Sequence, residues 1–165
     1  MNPELYWVEG PWPGRLALGP RPKGGDWLPD EIASWKRAGV DSVIFLLTSE
    51  EERDLDLGGE AAEARKFRLE YFSLPIPDRQ IPPSEMKFGE VLDKVSGSLS
   101  SGKKVLVHCR QGVGRSGLVA ACLLIKNGMS SSAAIDIVST ARGVAIPETV
   151  EQRNWIERYA PALTK

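Results

Sequence analysis

The stretch KVLVHCRQGVGRSG, residues 104–117, contains the signals for a buried strand, a curled loop and the start of a helix. Residues 104–108 form a short apolar run, which is typical of a strand covered on both faces. Gly112 and Gly114 allow the next segment to curl, because glycine adopts positive φ at little steric cost. Residues 116–127 are apolar nearly all round, which predicts a helix in the middle of the domain.

Outside this stretch, apolar runs typical of strands alternate with helical patterns. Strands are predicted at residues 5–8, 15–18, 42–47 and 69–76, and helices at residues 28–35, 49–57, 60–67, 84–99 and 134–141 and from Pro147 onward. Strands that alternate with helices predict an α/β fold with a mostly parallel central sheet flanked by helices. The length of 165 residues fits a single domain spanning 1–165. Ligands of such sheets bind beyond the carboxyl ends of the strands, where the 109–115 loop lies.

Composition narrows the class of partner. The formal net charge of −1 gives no basis for bulk attraction to nucleic acid or to a membrane surface. No stretch reaches the roughly 18 apolar residues of a membrane helix, and the N-terminus lacks the pattern of a secretory signal. The two cysteines, Cys109 and Cys122, are too few for a disulfide framework. The sequence therefore predicts a monomer in the reducing cytoplasm, with Cys122 as a buried apolar residue.

The 109–115 loop has the features of an anion site. A curled loop turns successive backbone N–H groups inward, and the following helix adds its free N–H groups and the positive end of its dipole. The same groups favour the thiolate of Cys109, which is the reactive form of the side chain. Arg115 follows after five intervening residues, and its planar guanidinium can hold two phosphate oxygens at once.

The string HCRQGVGRSG resembles the phosphate loop of the protein tyrosine phosphatase superfamily, and the short chain resembles its dual-specificity branch. The resemblance implies that Cys109 attacks phosphorus and becomes phosphocysteine, while Arg115 holds the phosphoryl group. Ser116 would donate a hydrogen bond to the departing thiolate, and His108 would orient the loop and help keep the thiol ionised. No metal or other cofactor is implied. The loop residues expected to bind the phosphate are Arg110, Gln111, Gly112, Val113, Gly114 and Arg115.

Two further residues are implied by the resemblance. The family uses an aspartate on a mobile loop about thirty residues upstream as proton donor, and Asp78 in the proline-rich segment PIPDRQIPP fits that place. Gln152 shares the inward side of the last helix with Trp155, and several family members use such a glutamine to position water. Arg142 is interpreted as a basic residue that closes its helix near the negative end of the dipole.

The sequence thus predicts a phosphatase that hydrolyses phosphotyrosine, and phosphoserine or phosphothreonine, in a phosphorylated protein. Three alternatives remain open. The first is a phosphatase for a lipid or another small phosphorylated molecule, although Gln111 and Val113 stand where phosphoinositide enzymes tend to carry lysines. The second is a rhodanese, against which Asp78 and Ser116 argue, and the third is a phosphopeptide-binding module without activity.

Overall fold

The computed structural model describes residues 2–163 and the side chains up to residue 159. The strands are β1 Tyr6–Val8, β2 Arg15–Gly19, β3 Ser42–Phe45, β4 Glu70–Ser73 and β5 Lys104–His108. The helices are α1 Leu28–Arg37, α2 Ser49–Asp54, α3 Glu60–Lys66, α4 Glu85–Ser100, α5 Gly114–Lys126, α6 Ser131–Arg142 and α7 Val150–Leu163. One short 3₁₀ helix, Gly25–Trp27, precedes α1.

The strands form one sheet in the order β1-β2-β5-β3-β4. Only the β1–β2 pair within this sheet is antiparallel, and the β2–β5, β5–β3 and β3–β4 pairs are parallel. Helices cover both faces, so the predicted α/β fold with a mostly parallel sheet is confirmed. The central strand β5 pairs on both sides, and its residues from Val105 to His108 are fully buried.

The side chains of β5 alternate between two cores, as the pleat of a strand requires. Val105 and Val107 face the larger core, which α4, α5, α6 and α7 cover. Leu106 faces the smaller core, which α1 and α3 cover. The helix α5 is buried from Gly114 to Ile125, so it lies inside the larger core as the apolar pattern predicts. The loop that joins β5 to α5 is therefore held between two buried elements.

The ends of several elements differ from the prediction. Beyond β4 the chain stays extended, since the N–H groups of Leu74 and Ile76 donate to the carbonyls of Phe45 and Leu46. The last helix begins at Val150 and not at Pro147, because Thr149 caps it by accepting the backbone N–H of Gln152 at 3.1 Å.

No helix in residues 2–163 is both long enough and apolar enough to cross a membrane.

Candidate active site

The loop between β5 and α5 begins at Cys109, whose side chain is 3% exposed. Gly112 has a φ of 74°, and a Cβ there would collide with the backbone of Gly19. Both facts require glycine at this position, so the predicted curl is explained by steric contact with β2. The helix α5 starts at Gly114, which places Arg115 in its first turn. A cup of backbone N–H groups followed by a helix N-terminus is the expected form of an oxyanion site.

Arg142 holds this loop from outside. Its Nε donates to the carbonyl of Gly112 at 3.1 Å and its Nη2 to the carbonyl of Gln111 at 3.2 Å. The guanidinium also stacks on the ring of Tyr6, 4.0 Å from the ring centroid. Arg142 is thus more than the helix-closing residue expected from the sequence, because it fixes the direction of two peptide groups of the loop.

The side chain of Arg115 is 2% exposed and joins three segments. Its Nη1 donates to Glu51 Oε1 at 2.7 Å and to the carbonyl of Ile76 at 2.8 Å, and its Nη2 donates to Glu51 Oε2 at 2.9 Å. Nη2 also lies 3.1 Å from Asp78 Oδ1. Burial alone lowers the pKa of Arg115, but Glu51, Cys109 and Asp78 together raise it above its ordinary value. The guanidinium therefore stays charged and fixed.

Glu51, which the sequence interpretation missed, is the principal partner of Arg115. It lies in the first turn of α2, where its backbone N–H donates to Thr48 Oγ1 and its Oε1 accepts from the Thr48 N–H. The Thr48-x-x-Glu51 pattern is a readable capping box, but that signal predicts only where a helix starts. Burial raises the pKa of Glu51, whereas the hydrogen bond from Arg115 lowers it, with a net decrease.

We expect Glu51→Gln to reduce the free energy of unfolding by about 1.5–3 kcal/mol at neutral pH, since a charged hydrogen-bond partner of buried Arg115 is lost. The pKa of Glu51 is lower in the folded protein than in the unfolded chain. The ionised side chain therefore contributes fully to the free energy of unfolding above the ordinary glutamate pKa. This contribution disappears as the pH falls through the pKa of the folded state. Urea denaturation at neutral and acidic pH measures this difference. Exposed Glu50→Gln on the same helix is the matched control, and an equal loss in both variants at every pH would contradict the assignment.

Asp78 lies at the mouth of the site, with a side chain that is 53% exposed. A hollow of about 270 Å³ opens between it and the loop. The residues that line it are Asp78, Arg79, Cys109, Arg110, Gln111, Arg115 and Glu148. The structure therefore brings the sequence-predicted nucleophile, phosphate-binding arginine and proton donor to one hollow. Arg110 is half exposed, with Nη1 4.0 Å from Glu51 Oε2.

Gln152 lies behind the hollow and is not one of its lining residues. Its Oε1 accepts the N–H groups of Glu148 and Thr149 at 3.2 and 3.3 Å, and its Nε2 donates to the carbonyl of Gln80 at 3.1 Å. Arg79 Nη1 adds an ion pair with Glu148 Oε2 at 3.5 Å. The inward orientation expected for Gln152 is found, and it links the Asp78 loop to the start of α7. Its water-positioning role stays a prediction.

His108 and Ser116 lie beneath the loop and are fully buried. His108 Nε2 is 2.8 Å from Glu60 Oε2, an acidic partner that sequence reasoning also missed. The hydroxyl of Ser116 has no hydrogen-bond partner among the residues that the structure describes. It is therefore available to donate to a sulfur anion, as the resemblance implies.

Comparison with known proteins identifies the family and the fold of this chain. The family model of the dual specificity phosphatase catalytic domain matches residues 40–160. Rat cyclin-dependent kinase inhibitor 3 is 35% identical over 91 residues, which are 54% of this chain and 42% of that relative. The chain thus spans less than half the length of the curated relative.

Among solved structures, kinase associated phosphatase with its catalytic cysteine replaced by serine superposes with a TM-score of 0.89 at 22% identity, over 99% of this chain and 97% of that one. PTPMT1 in complex with PI(5)P superposes with a TM-score of 0.78 at 20% identity, over 96% and 97%. At these identities the superpositions establish the fold alone. The family match covers the loop, Asp78 and Gln152, and it supports a phosphatase over the rhodanese alternative. The chain therefore belongs to the dual specificity phosphatase family.

Proposed function

We propose that this protein is a cysteine-dependent protein phosphatase that hydrolyses phosphotyrosine, and phosphoserine or phosphothreonine, through a phosphocysteine intermediate. The observation that supports this proposal is the convergence of Cys109, Arg115 and Asp78 on one hollow at the carboxyl end of β5. Each residue supplies one requirement of the reaction: a nucleophile, a fixed cation for the phosphoryl oxygens and a proton donor.

In the first step the Cys109 thiolate attacks phosphorus, so that an S–P bond forms while the bond to the leaving oxygen breaks. Asp78 gives its proton to that oxygen. In the second step water attacks the phosphocysteine, the Asp78 carboxylate accepts a proton from the water, and the S–P bond breaks. Ser116 donates a hydrogen bond to the thiolate as it leaves. No metal or other cofactor enters either step.

The contact between Asp78 and Arg115 joins the proposed proton donor to the phosphate-binding cation. In the free site the guanidinium lies 3.1 Å from Asp78 Oδ1. A phosphoryl dianion would take up that guanidinium and place negative charge beside Asp78. Substrate binding would therefore exchange the contact between Arg115 and Asp78 for one between Arg115 and the phosphoryl group.

A phosphatase for a lipid or another small phosphorylated molecule is the second candidate. The superposition on PTPMT1 bound to PI(5)P shows that this fold can accommodate a phosphoinositide. In this chain, however, Gln111 is exposed and Val113 half-buried in the loop, and neither can form a charge-assisted bond to a second phosphate.

We expect kcat/KM for phosphopeptides to exceed that for soluble phosphoinositides by about tenfold or more, the equivalent of one missing charged contact. A panel of phosphotyrosine, phosphoserine and phosphothreonine peptides, inositol phosphates and phosphoinositides measures this ratio under one set of conditions. Cys109→Ser is the blank that shows which turnover belongs to this site. A clear preference for one phosphoinositide would replace the protein substrate with a lipid.

We further propose that residues 1–165 form one domain. The protein would act as a monomer in a reducing cytoplasm. Cys109 and Cys122 are both free thiols, which suits that compartment. Burial raises the pKa of Cys122 well above its ordinary value, so that this thiol would remain protonated and inert.

A further inference from the structure

The first strand of the sheet is joined to the catalytic loop by a stacked arginine. Tyr6 lies in β1, and its ring covers one face of the Arg142 guanidinium, 4.0 Å from the ring centroid. Arg142 is the last residue of α6 and donates to the carbonyls of Gln111 and Gly112 at 3.2 and 3.1 Å. The ring of Tyr6 and the two loop carbonyls therefore hold one guanidinium between them.

The bonds from Arg142 set the direction of two peptide groups. In a trans peptide, which is the form of these bonds, the C=O and the N–H point in opposite directions. The carbonyls of Gln111 and Gly112 face Arg142, so the N–H groups of Gly112 and Val113 point away from it. Arg142 itself does not line the hollow above Cys109. The two N–H groups are thus directed to the inner side of the loop.

These two N–H groups have no acceptor in the fold. Among the residues that the structure describes, neither Gly112 nor Val113 donates its N–H to a backbone carbonyl. A backbone N–H without an acceptor is costly, so such groups bind water or a ligand. Gly112 has a φ of 74°, and glycine accepts either sign of φ, so the chain itself offers little resistance to a peptide flip. The contact with Arg142 supplies that resistance.

A charged donor on a carbonyl also strengthens the loop as an anion site. It polarises the peptide group, which makes the N–H of the same group a stronger donor. An arginine that swings into solvent would lose this effect. The ring of Tyr6 opposes the swing, because a cation over an aromatic face is attracted to it. The hydroxyl of Tyr6 donates to Glu4 Oε2 at 2.6 Å, which ties the ring to the segment before β1.

We propose that Tyr6 is a positioning residue for the cup of backbone N–H groups: it holds Arg142 on the loop, so that the N–H groups of Gly112 and Val113 face the phosphoryl group of the substrate. This inference rests on the proposed function and adds a residue to it. Tyr6 lies before the matched residues 40–160, so the family resemblance implies nothing about it. It does not line the hollow and acts through Arg142 alone.

The direction of the two N–H groups is tested in the wild-type protein. Inorganic phosphate is added in steps while ¹H–¹⁵N spectra follow the amides of the loop. We expect the amide protons of Gly112 and Val113 to move downfield as they donate to the anion, and the same titration gives the dissociation constant of phosphate. Movement of other loop amides with no movement of these two would overturn the inference, and this measurement needs no variant.

The role of the ring is tested with two substitutions of Tyr6 in the same titration. Tyr6→Leu keeps an apolar side chain against the larger core and removes the aromatic face, so we expect the dissociation constant of phosphate to rise about fivefold. Tyr6→Phe keeps that face, and we expect a value within about twofold of the wild type. An equal rise in both variants would contradict the role of the stack.

Trp7 provides the matched control on the same strand. Its ring also lies under an arginine, with Arg15 Cζ 4.2 Å from the ring centroid, but it packs against the smaller core on the other face of the sheet. We expect Trp7→Leu to bind phosphate like the wild type, at a temperature where urea denaturation shows both leucine variants to be folded. The same rise in Trp7→Leu as in Tyr6→Leu would assign the effect to a weakened strand and overturn the proposal.

A double-mutant cycle shows whether Tyr6 acts through Arg142. We expect Arg142→Ala to raise the dissociation constant of phosphate about tenfold or more, since two charged hydrogen bonds to the loop are lost. In that background Tyr6→Leu should cause no further rise, because the group that it holds is already absent. Two independent rises that multiply would contradict an action through Arg142.

These outcomes are separate from those that test the proposed function. Turnover that survives Cys109→Ser would contradict the phosphocysteine mechanism, whereas phosphate binding is measured without turnover. Turnover that depends on Cys109, with unchanged phosphate affinity in Tyr6→Leu, would leave the function intact and overturn the role of Tyr6. A rise in Tyr6→Leu that neither Tyr6→Phe nor Trp7→Leu shares supports it.

Discussion

Replacement of Cys109 by serine is expected to abolish turnover while phosphopeptide binding is retained. A serine hydroxyl remains protonated at neutral pH and is a poor nucleophile without a base, so we expect kcat to fall by about 10⁴-fold or more. The backbone cup and the guanidinium of Arg115 stay in place, because Glu51 and Ile76 hold that side chain independently of the sulfur. Steady-state kinetics with p-nitrophenyl phosphate and titration calorimetry with a phosphopeptide measure the two quantities.

The control for this substitution is Cys122→Ala. Cys122 is fully buried in α5, so its removal can cost stability but does not touch the hollow. We expect this variant to keep wild-type kcat at a temperature where it is folded. Wild-type activity in Cys109→Ser, or the same loss in both variants, would contradict the assignment of the nucleophile.

Replacement of Asp78 by asparagine is expected to reduce kcat by about 10²–10⁴-fold for a phosphoserine peptide. A serine alkoxide is a poor leaving group that needs a proton, whereas nitrophenolate leaves without one. We therefore expect a much smaller loss with p-nitrophenyl phosphate. Substrate binding should be preserved, because the phosphoryl group competes with Asp78 for Arg115 in the wild-type protein. Steady-state kinetics at a saturating concentration of each substrate measure the change in kcat for the phosphoserine peptide and for p-nitrophenyl phosphate.

An exposed aspartate, Asp30 in the first turn of α1, provides the matched control for Asp78→Asn. We expect Asp30→Asn to leave both substrates at wild-type rates. If Asp78→Asn instead lowered kcat equally for both leaving groups, Asp78 would act by holding the loop and not by donating a proton.

The parts of the fold and site that sequence predicts are those with a local signal. The apolar run of β5, the glycines of the loop and the buried helix α5 lie next to one another in the chain, and each has its own periodicity or turn requirement. Cys109 and Arg115 follow from the same local segment. Asp78 was found through the resemblance, and the structure places it 3.1 Å from Arg115.

The sequence did not predict the contacts between side chains that lie far apart in the chain. Glu51 precedes Arg115 by 64 residues and Glu60 precedes His108 by 48 residues. In the sequence both are ordinary acidic residues of short polar helices, and only the folded structure brings Glu51 to Arg115 of α5 and Glu60 to His108 of β5. The bonds of Arg142 to loop carbonyls and of Gln152 to Gln80 have the same tertiary origin.

A covalent phosphoenzyme is the central feature of this account, and rapid acid quench followed by mass spectrometry detects it most directly. The wild-type protein is mixed with a phosphopeptide, quenched during the first turnover and digested. We predict that the peptide containing Cys109 gains the mass of one phosphoryl group, attached through sulfur, and that Cys109→Ser shows no such adduct at this position. Hydrolysis of the substrate at the wild-type rate with no phosphoryl group on Cys109 at any quench time would contradict the account.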